Sequence, residues 1–552
     1  MNTPSNDNPQ AARRLALTRE APQGRSVASG GSRYWWAYPR HNRLVWLIAL
    51  CATLISPTYS EEGVIDRRFS DQNTKLWAPY VEWELPNPDY EGNPFDLLAS
   101  VAFTHDDSGE QRRTQMFYAG DGVWSFRFTG TKVGRWSFTT SSDDAHLDGW
   151  QGSVTVAPNP DPNIRGFLVA DGTKFAVEVA DDGTLQGTLY HVYSPFERQR
   201  LFEYSLDEAT LHHDIDEMLT KVDALGFNAL RVSVNNSWFE FGAESYRDHD
   251  SENPDPESFR VLEALITEAH ARGLHLHIWK WGDEQRRWTP IGVGGINGEP
   301  DRRLQRYIAA RLGPLPGWTM SYGFDLEEWV TPDEVREWGA YLHEHLGWPH
   351  LLTARELGEH RGYVFDMGTD KLDIYSTDDR PTENFYDLAV TRLEDQEGPG
   401  LPVLFERRFL YLRDDVWDMQ TTRRALWQFT MAGGAGSIWG VLWDDGRTYP
   451  NPEQLRLHRE FWRDRFLLEF ERANELTSGF ALKSAGSHYV FYAEDSSEVS
   501  MDLTGMHDPQ PAGALDTGGG MLEFHDLGVL DTAQHTWRAP YRSDWVVAVG
   551  RY

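Results

Sequence analysis

The sequence predicts a multidomain protein: a (β/α)8 TIM barrel flanked by an N-terminal β-sandwich and a C-terminal β-sandwich. Three observations predict it. Strand-like and helix-like segments alternate between residues 161 and 474, as a parallel barrel requires. Short, aromatic, turn-bounded segments fill residues 61–160, and a β pattern returns over 475–552. Two apolar runs inside the alternating region end abruptly on acid, at Asp325 and Glu406. A chain of 552 residues is also too long for one hydrophobic core.

Residues 1–60 read as a signal peptide or N-terminal extension. Seven Arg against Asp7 and Glu20 leave +5 there, so the remainder carries −38 of the net −33. The apolar run Leu44–Ile55 follows Arg40 and Arg43; it is short for a bilayer span and fits a signal-peptide core, with small residues near Thr58 and Ser60 for cleavage. A secreted, periplasmic or cell-surface protein without stable membrane insertion is expected, an uncleaved anchor being the alternative. The sole Cys, Cys51, lies in this segment.

Residues 61–160 carry strands such as Tyr80–Leu85, Asp96–Thr104, Gln115–Ala119, Val123–Phe128 and Gly134–Thr140, with hairpin signals at Gly120-Asp-Gly and Asp107-Ser-Gly. The barrel is expected to begin with Lys174–Val179 as its first strand. Ser205-Leu-Asp-Glu opens a helix that stops at Gly226, and Asn228–Val234 is the second strand. A helix over Ser258–Arg272 precedes the third, Leu274–Trp279. The fourth is Trp318–Asp325, and Thr331-Pro-Asp-Glu starts a capped helix after it. His350–Ala354, Leu372–Ser376, Pro402–Phe405 and Gly436–Gly440 complete eight. No Gly-rich phosphate loop follows any of them, which disfavours an open doubly wound sheet.

The chemistry is read from the acids. A carboxylate at the carboxyl end of a barrel strand stands where catalytic groups gather, and two facing carboxylates are what glycosidic bond hydrolysis uses. Asp325 is the candidate acid, with Glu327 and Glu328 as alternatives that also suit a helix entry. Glu406 is the candidate nucleophile; Arg407 and Arg408 adjoin it, and a nearby cation keeps a carboxylate ionised. Other strand ends gather groups suited to sugars: Asn235, Asn236 and Trp238, then Lys280, Trp281 and Asp283, then Arg355 and Glu356. No His or Cys cluster has metal-ligand spacing, so neither a metal nor another cofactor is expected. The acidic net charge argues against nucleic acid and anionic lipid as partners. A polysaccharide or oligosaccharide is the expected substrate.

On these residues the chain resembles the retaining barrel glycosidases of clan A, nearest their apiosidase-like branch. The stretch Phe117-Tyr-Ala-Gly-Asp-Gly-Val-Trp-Ser-Phe-Arg-Phe is similar to the small sandwich that precedes many such barrels. The ending Thr536-Trp-Arg-Ala-Pro and Asp544-Trp-Val-Val-Ala-Val resembles the β-domain that closes apiosidase-like ones. The resemblance implies an acid/base at the end of strand four and a nucleophile at the end of strand seven. It departs at strand four, where Phe324-Asp325 stands for the usual Asn-Glu. It further implies that Arg231 stands beside the nucleophile, that Tyr375 holds it by a hydroxyl, and that Trp439 is the platform under the sugar. Three rivals stay open: a non-catalytic carbohydrate-binding pseudoenzyme, an inverting hydrolase on the same barrel, and an adhesion module. A carboxyl separation of about 5–5.5 Å marks retention and roughly 6.5–9.5 Å inversion.

Overall fold

The computed structural model describes residues 67–195, 208–241, 249–282, 289–356, 372–379, 384–396, 400–411, 417–441 and 448–550. The leader, its cleavage site, Cys51, Ser205 and Asp283 lie outside the described residues.

Eight parallel strands make the barrel: β1 (His191–Tyr193), β2 (Ala229–Ser233), β3 (His275–Trp281), β4 (Trp318–Gly323), β5 (Leu352–Thr353 and Arg355–Glu356), β6 (Tyr375–Thr377), β7 (Val403–Tyr411) and β8 (Gly436–Val441). β1 pairs with both β2 and β8, and the two pieces of β5 bridge β4 to β6, so the strands follow one another around the wall. The helices α1 (Glu208–Ala224), α2 (Pro256–Ala271), α3 (Glu299–Leu312), α4 (Pro332–His345), α5 (Phe385–Glu394), α6 (Met419–Met431) and α7 (Pro452–Trp462) form the outer layer. Their starts are written locally. Asp255 caps α2 ahead of Pro256, and Thr331 with Glu334 closes the expected capping box on α4. Phe259, Leu262, Ile266 and Ala269 of α2 are fully buried on one face. Each large apolar side chain so buried contributes about 1.5–3 kcal/mol. Gly226 ends the turn after α1 at φ +76°, where a Cβ would lie 2.4 Å from the Arg456 backbone.

The first barrel strand is a correction. Lys174–Glu178 belongs to a separate three-stranded antiparallel sheet with Leu168–Asp171 and Leu185–Thr188. Leu168, Phe175 and Val177 pack with Tyr190, Val192, Leu351, Leu404 and Ile438 at the amino ends of the barrel strands, so this sheet plugs the barrel floor. β1 is the much shorter His191–Tyr193.

The N-terminal sandwich has a five-stranded sheet (72–75, 151–157, 134–142, 99–105, 111–115) over a three-stranded one (81–86, 123–128, 117–120). Its core is aromatic: Trp83, Phe103, Phe126 and Phe138 pack with ring centroids 4.8–6.3 Å apart. Arg127 leaves this domain to meet buried Glu263 of α2 at 2.8 Å and the Arg311 carbonyl of α3 at 3.0 Å, while the Arg311 guanidinium also pairs with Glu263. The C-terminal β-domain is a six-stranded antiparallel sheet whose two long strands, His488–Asp502 and Gln534–Val549, shift register and wrap one core. Asp544 ties it to Arg423 and Arg424 of α6.

Candidate active site

Alternation along each barrel strand decides which side chains reach the interior. On β3 the inward set is His275, His277 and Trp279, and on β7 it is Leu404 and Glu406. Glu406 is fully buried. Its Oε1 lies 2.8 Å from His277 Nε2, across the barrel from β7 to β3. His277 Nδ1 lies 2.9 Å from Thr319 Oγ1 on β4, which is 2.5 Å from the Tyr190 hydroxyl. One arrangement of hydrogens satisfies the whole chain: Tyr190 donates to Thr319, Thr319 to Nδ1, and Nε2–H to the carboxylate. Glu406 Oε2 is buried and has no hydrogen-bond partner among the described residues. Burial pushes the Tyr190 hydroxyl pKa up, so Tyr190 stays a donor.

Toward the carboxyl ends of the strands lies Trp279. Arg231 of β2 stands over this indole at 4.4 Å, Phe324 packs on it at 5.0 Å and Arg408 approaches at 6.0 Å. Arg231 donates to Ser194, Ser233 and the Pro195 carbonyl. Burial, then the Arg408 charge, pull its pKa well below the usual value, and Glu406 opposes them. The ladder between β7 and β8 slips between Phe405 and Phe409: Phe405 faces Ser437 but Phe409 faces Trp439. Two extra residues on β7 bulge there, which re-aims Glu406, Arg407 and Arg408.

The third layer is a chain of ion pairs across strand ends four to seven. Arg355 reaches Asp325 at 3.0 Å and Asp378 at 3.2 Å, and Arg407 reaches Asp378 at 2.8 Å. Asp325 takes a left-handed conformation, φ 51°, that turns the chain off β4. Gly323 permits the exit, since a Cβ there would lie 2.6 Å from the Trp281 carbonyl oxygen. Glu328 is exposed and Glu327 half-buried on the short turn beyond Asp325.

The structure thus brings Glu406 and Arg231 into one interior column and places Asp325 and Arg355 on its rim. Several expected sugar contacts are elsewhere. Lys280 points outward and pairs with Asp301 of α3 at 2.7 Å, both side chains fully buried. Trp238 is buried against Phe259 and donates to the Lys280 carbonyl, and Trp281 stacks on Phe239. Trp439 is buried among Phe409, Trp417 and Phe429 behind the wall, which removes it as a sugar platform. Tyr375 sits one residue out of phase with inward Ile374 and packs against the helix layer. For Lys280, Trp439 and Tyr375 this follows from strand parity: a residue adjacent to an inward one faces the helices. Asn235 follows β2 in a single 3-10 turn, its Oδ1 buried with no hydrogen-bond partner among the described residues. The side chains of Asn236 and Glu356 are outside the described set. Sequence reading missed His277, Thr319, Tyr190, Trp279 and Asp378. The alternation His275-Leu-His-Ile-Trp in β3, polar in and apolar out, was a usable signal for the first.

Among the described residues no group of three or more His, Cys, Asp or Glu could hold a metal ion, and no helix is long and apolar enough to cross a membrane. Residues 74–143 match a family model described as a domain of unknown function, DUF5060. Among curated proteins none matches the chain. A crystal structure of a provisionally assigned glycoside hydrolase from Bacteroides vulgatus ATCC 8482 superposes with TM-score 0.64 at 16% identity, covering 87% of this chain and 100% of that one. A family 5 glycoside hydrolase from the same organism gives TM-score 0.52 at 15% identity, over 70% of this chain and 93% of that one. At such identities the likeness is one of fold: a barrel with flanking β-domains, as found in glycoside hydrolases.

Proposed function

We propose that this chain is a secreted glycoside hydrolase that cleaves O-glycosidic bonds in a polysaccharide by retaining double displacement. One observation carries the reading. Glu406 is held by His277 through one oxygen, beside Arg231, and its other oxygen has no hydrogen-bond partner among the described residues. In the proposed reaction that oxygen attacks the anomeric carbon while Asp325 gives its proton to the leaving oxygen; Asp325 then takes a proton from the water that releases the sugar. Asp325 is ion-paired to Arg355 at 3.0 Å. The same guanidinium reaches Asp378 at 3.2 Å through its other nitrogen. The apiosidase-like placement is supported by Asp at the end of strand four and by the C-terminal pattern around Trp537 and Trp545. Secretion is supported by the basic, then apolar, leader.

A second reading, glycan binding without turnover, is favoured by the full burial of Glu406 beneath Trp279. Glu406→Gln separates the two. Gln keeps the shape but cannot form the covalent intermediate, so turnover should fall by several orders of magnitude while glycan binding persists. Unchanged rates in the variant would make Glu406 structural; no turnover by the native chain on a broad glycan panel would favour the second reading.

A further inference from the structure

Beneath Glu406, three buried polar groups run down toward the barrel floor: His277 of β3, Thr319 of β4 and Tyr190, just ahead of β1. The Tyr190 hydroxyl lies 2.5 Å from Thr319 Oγ1 and 3.3 Å from His277 Nδ1, and Thr319 Oγ1 lies 2.9 Å from Nδ1. Among the described residues these three atoms have no hydrogen-bond partner but one another. Phe175 of the floor sheet closes the far end, its ring 4.8 Å from that of Tyr190. Burial keeps the Tyr190 proton in place. The proton count then decides the state of the ring. Two hydroxyls bring two protons, and the trio accommodates both only if Nδ1 offers its lone pair: Tyr190 donates to Thr319, and Thr319 to Nδ1. A further proton on Nδ1 would leave one buried hydroxyl proton without an acceptor, which is unfavourable. The ring proton is therefore on Nε2, 2.8 Å from Glu406 Oε1. Held at both nitrogens, the imidazole is fixed in rotation as well as in tautomer.

We propose that Tyr190 and Thr319 are positioning residues for Glu406: from the barrel floor they fix His277 as an Nε2–H donor and deny it a second proton. The role of Glu406 rests on the glycosidase reading; the arrangement of hydrogens does not. For a nucleophile the distinction matters. A neutral N–H aims one carboxylate oxygen and leaves the other to attack. An imidazolium would instead stabilise the negative charge that the attack must consume, and so hold back the reaction.

The test uses the full chain labelled with 15N-histidine, its His277 signals assigned by their loss in His277→Gln. At pH 7 the parent should show Nδ1 as a pyridine-type nitrogen accepting a hydrogen bond and Nε2 carrying the proton. A proton on Nδ1 would overturn the inference. Thr319→Val keeps the shape and removes the nearer donor, leaving Tyr190 at 3.3 Å from Nδ1; adding Tyr190→Phe removes that one too. The Nδ1 resonance should move in Thr319→Val and further in the double variant, and Thr319→Ser should restore it. Turnover is measured on xylan, galactan, pectin and 4-nitrophenyl glycosides. On whichever of these the parent cleaves, kcat should fall roughly tenfold or more in the double variant with KM little changed. Thr319→Ser should recover most of the loss. If circular dichroism shows the double variant unfolded, Thr319→Val and the parent spectrum decide. An unmoved Nδ1 resonance, or a moved one with kcat unchanged, would overturn the inference. The expected spectra with no cleavage of any substrate by the parent would keep the hydrogen arrangement and sink the glycosidase reading.

Discussion

Asp301→Asn isolates the ammonium of Lys280. The pair is fully buried, 2.7 Å apart, and the Trp281, Tyr322 and Trp338 rings surround Lys280 Nζ at 5.1, 5.5 and 5.9 Å. Burial already pulls the Lys280 pKa below its usual value; Asp301 opposes that pull and the Arg302 charge adds to it. Without the Asp301 charge, the ammonium either stays buried and uncompensated or sheds its proton. Shedding caps the cost: about 1.4 kcal/mol per pH unit, over roughly 3.4 units between pH 7 and an ordinary lysine value near 10.4, is about 5 kcal/mol. That agrees with the roughly 3–5 kcal/mol lost on breaking a buried ion pair. The unfolded variant then binds one more proton than the folded one, so its stability rises with pH until the unfolded lysine titrates. Between pH 7 and 9 the defect should shrink by about 2.7 kcal/mol. Burial holds the Tyr322 hydroxyl well above this window, so it does not interfere. Urea midpoints by tryptophan fluorescence at both pH values, with the parent protein in parallel, read the effect. A defect below about 1 kcal/mol, or one that is equal or larger at pH 9, would refute the reasoning.

Asp325→Asn should abolish cleavage of the polysaccharide yet spare the first step on an activated aryl glycoside, giving a burst that added azide converts to turnover. Rescue of Glu328→Gln instead would move the acid along the turn; rescue of neither that variant, Glu327→Gln nor Asp325→Asn would count against double displacement. Acid should destabilise the barrel through buried histidines. Burial lowers His191 and His275 to about 3, His350 to about 4, and His458, which faces His191, Thr430 and Trp427, well below its usual value. The unfolded forms take up protons first, so stability is full above pH ~6.5 and is lost below it, at up to ~1.4 kcal/mol per pH unit for each histidine. His458→Phe should flatten that slope in urea titrations from pH 7 to 5; a parent protein indifferent to pH there would overturn the account.

Much of this was legible in the residues, and the failures have physical causes. Seven of eight strands, the capped α4 and the carboxyl-end acids follow from apolar runs, turn chemistry and capping patterns, which are local. The first strand was misplaced because three residues, His191–Tyr193, leave almost no run to see. The more strand-like Lys174–Glu178 instead pairs back on Leu168–Asp171 through Asp171-Gly172-Thr173, a hairpin signal passed over, with Gly172 at φ +55°. Lys280, Tyr375 and Trp439 stand near strand ends but on the outward phase of their strands, and nearness to a strand end does not reveal phase. Asp378 and the Glu406–His277 contact were hidden for a different reason. They depend on which strands face each other across the barrel and on the β7 bulge, and neither leaves a mark in one sequence.

The Arg127–Glu263–Arg311 cluster bears on how this gene could be trimmed. Arg127 belongs to the sandwich, whereas Glu263 and Arg311 belong to helices that pack on the barrel wall. Trp348, just before β5, likewise packs in the sandwich core and donates to the Thr129 carbonyl. A barrel fragment starting near residue 160 would keep Glu263, Arg311 and Trp348 but lose what covers them, exposing an indole and a buried ion pair on α2 and α3. Its failure would be seen as poor solubility, and it would be easy to mistake for a carbohydrate-binding role of the missing domain. The smallest unit that behaves as the parent does therefore begins before residue 70, well upstream of the barrel.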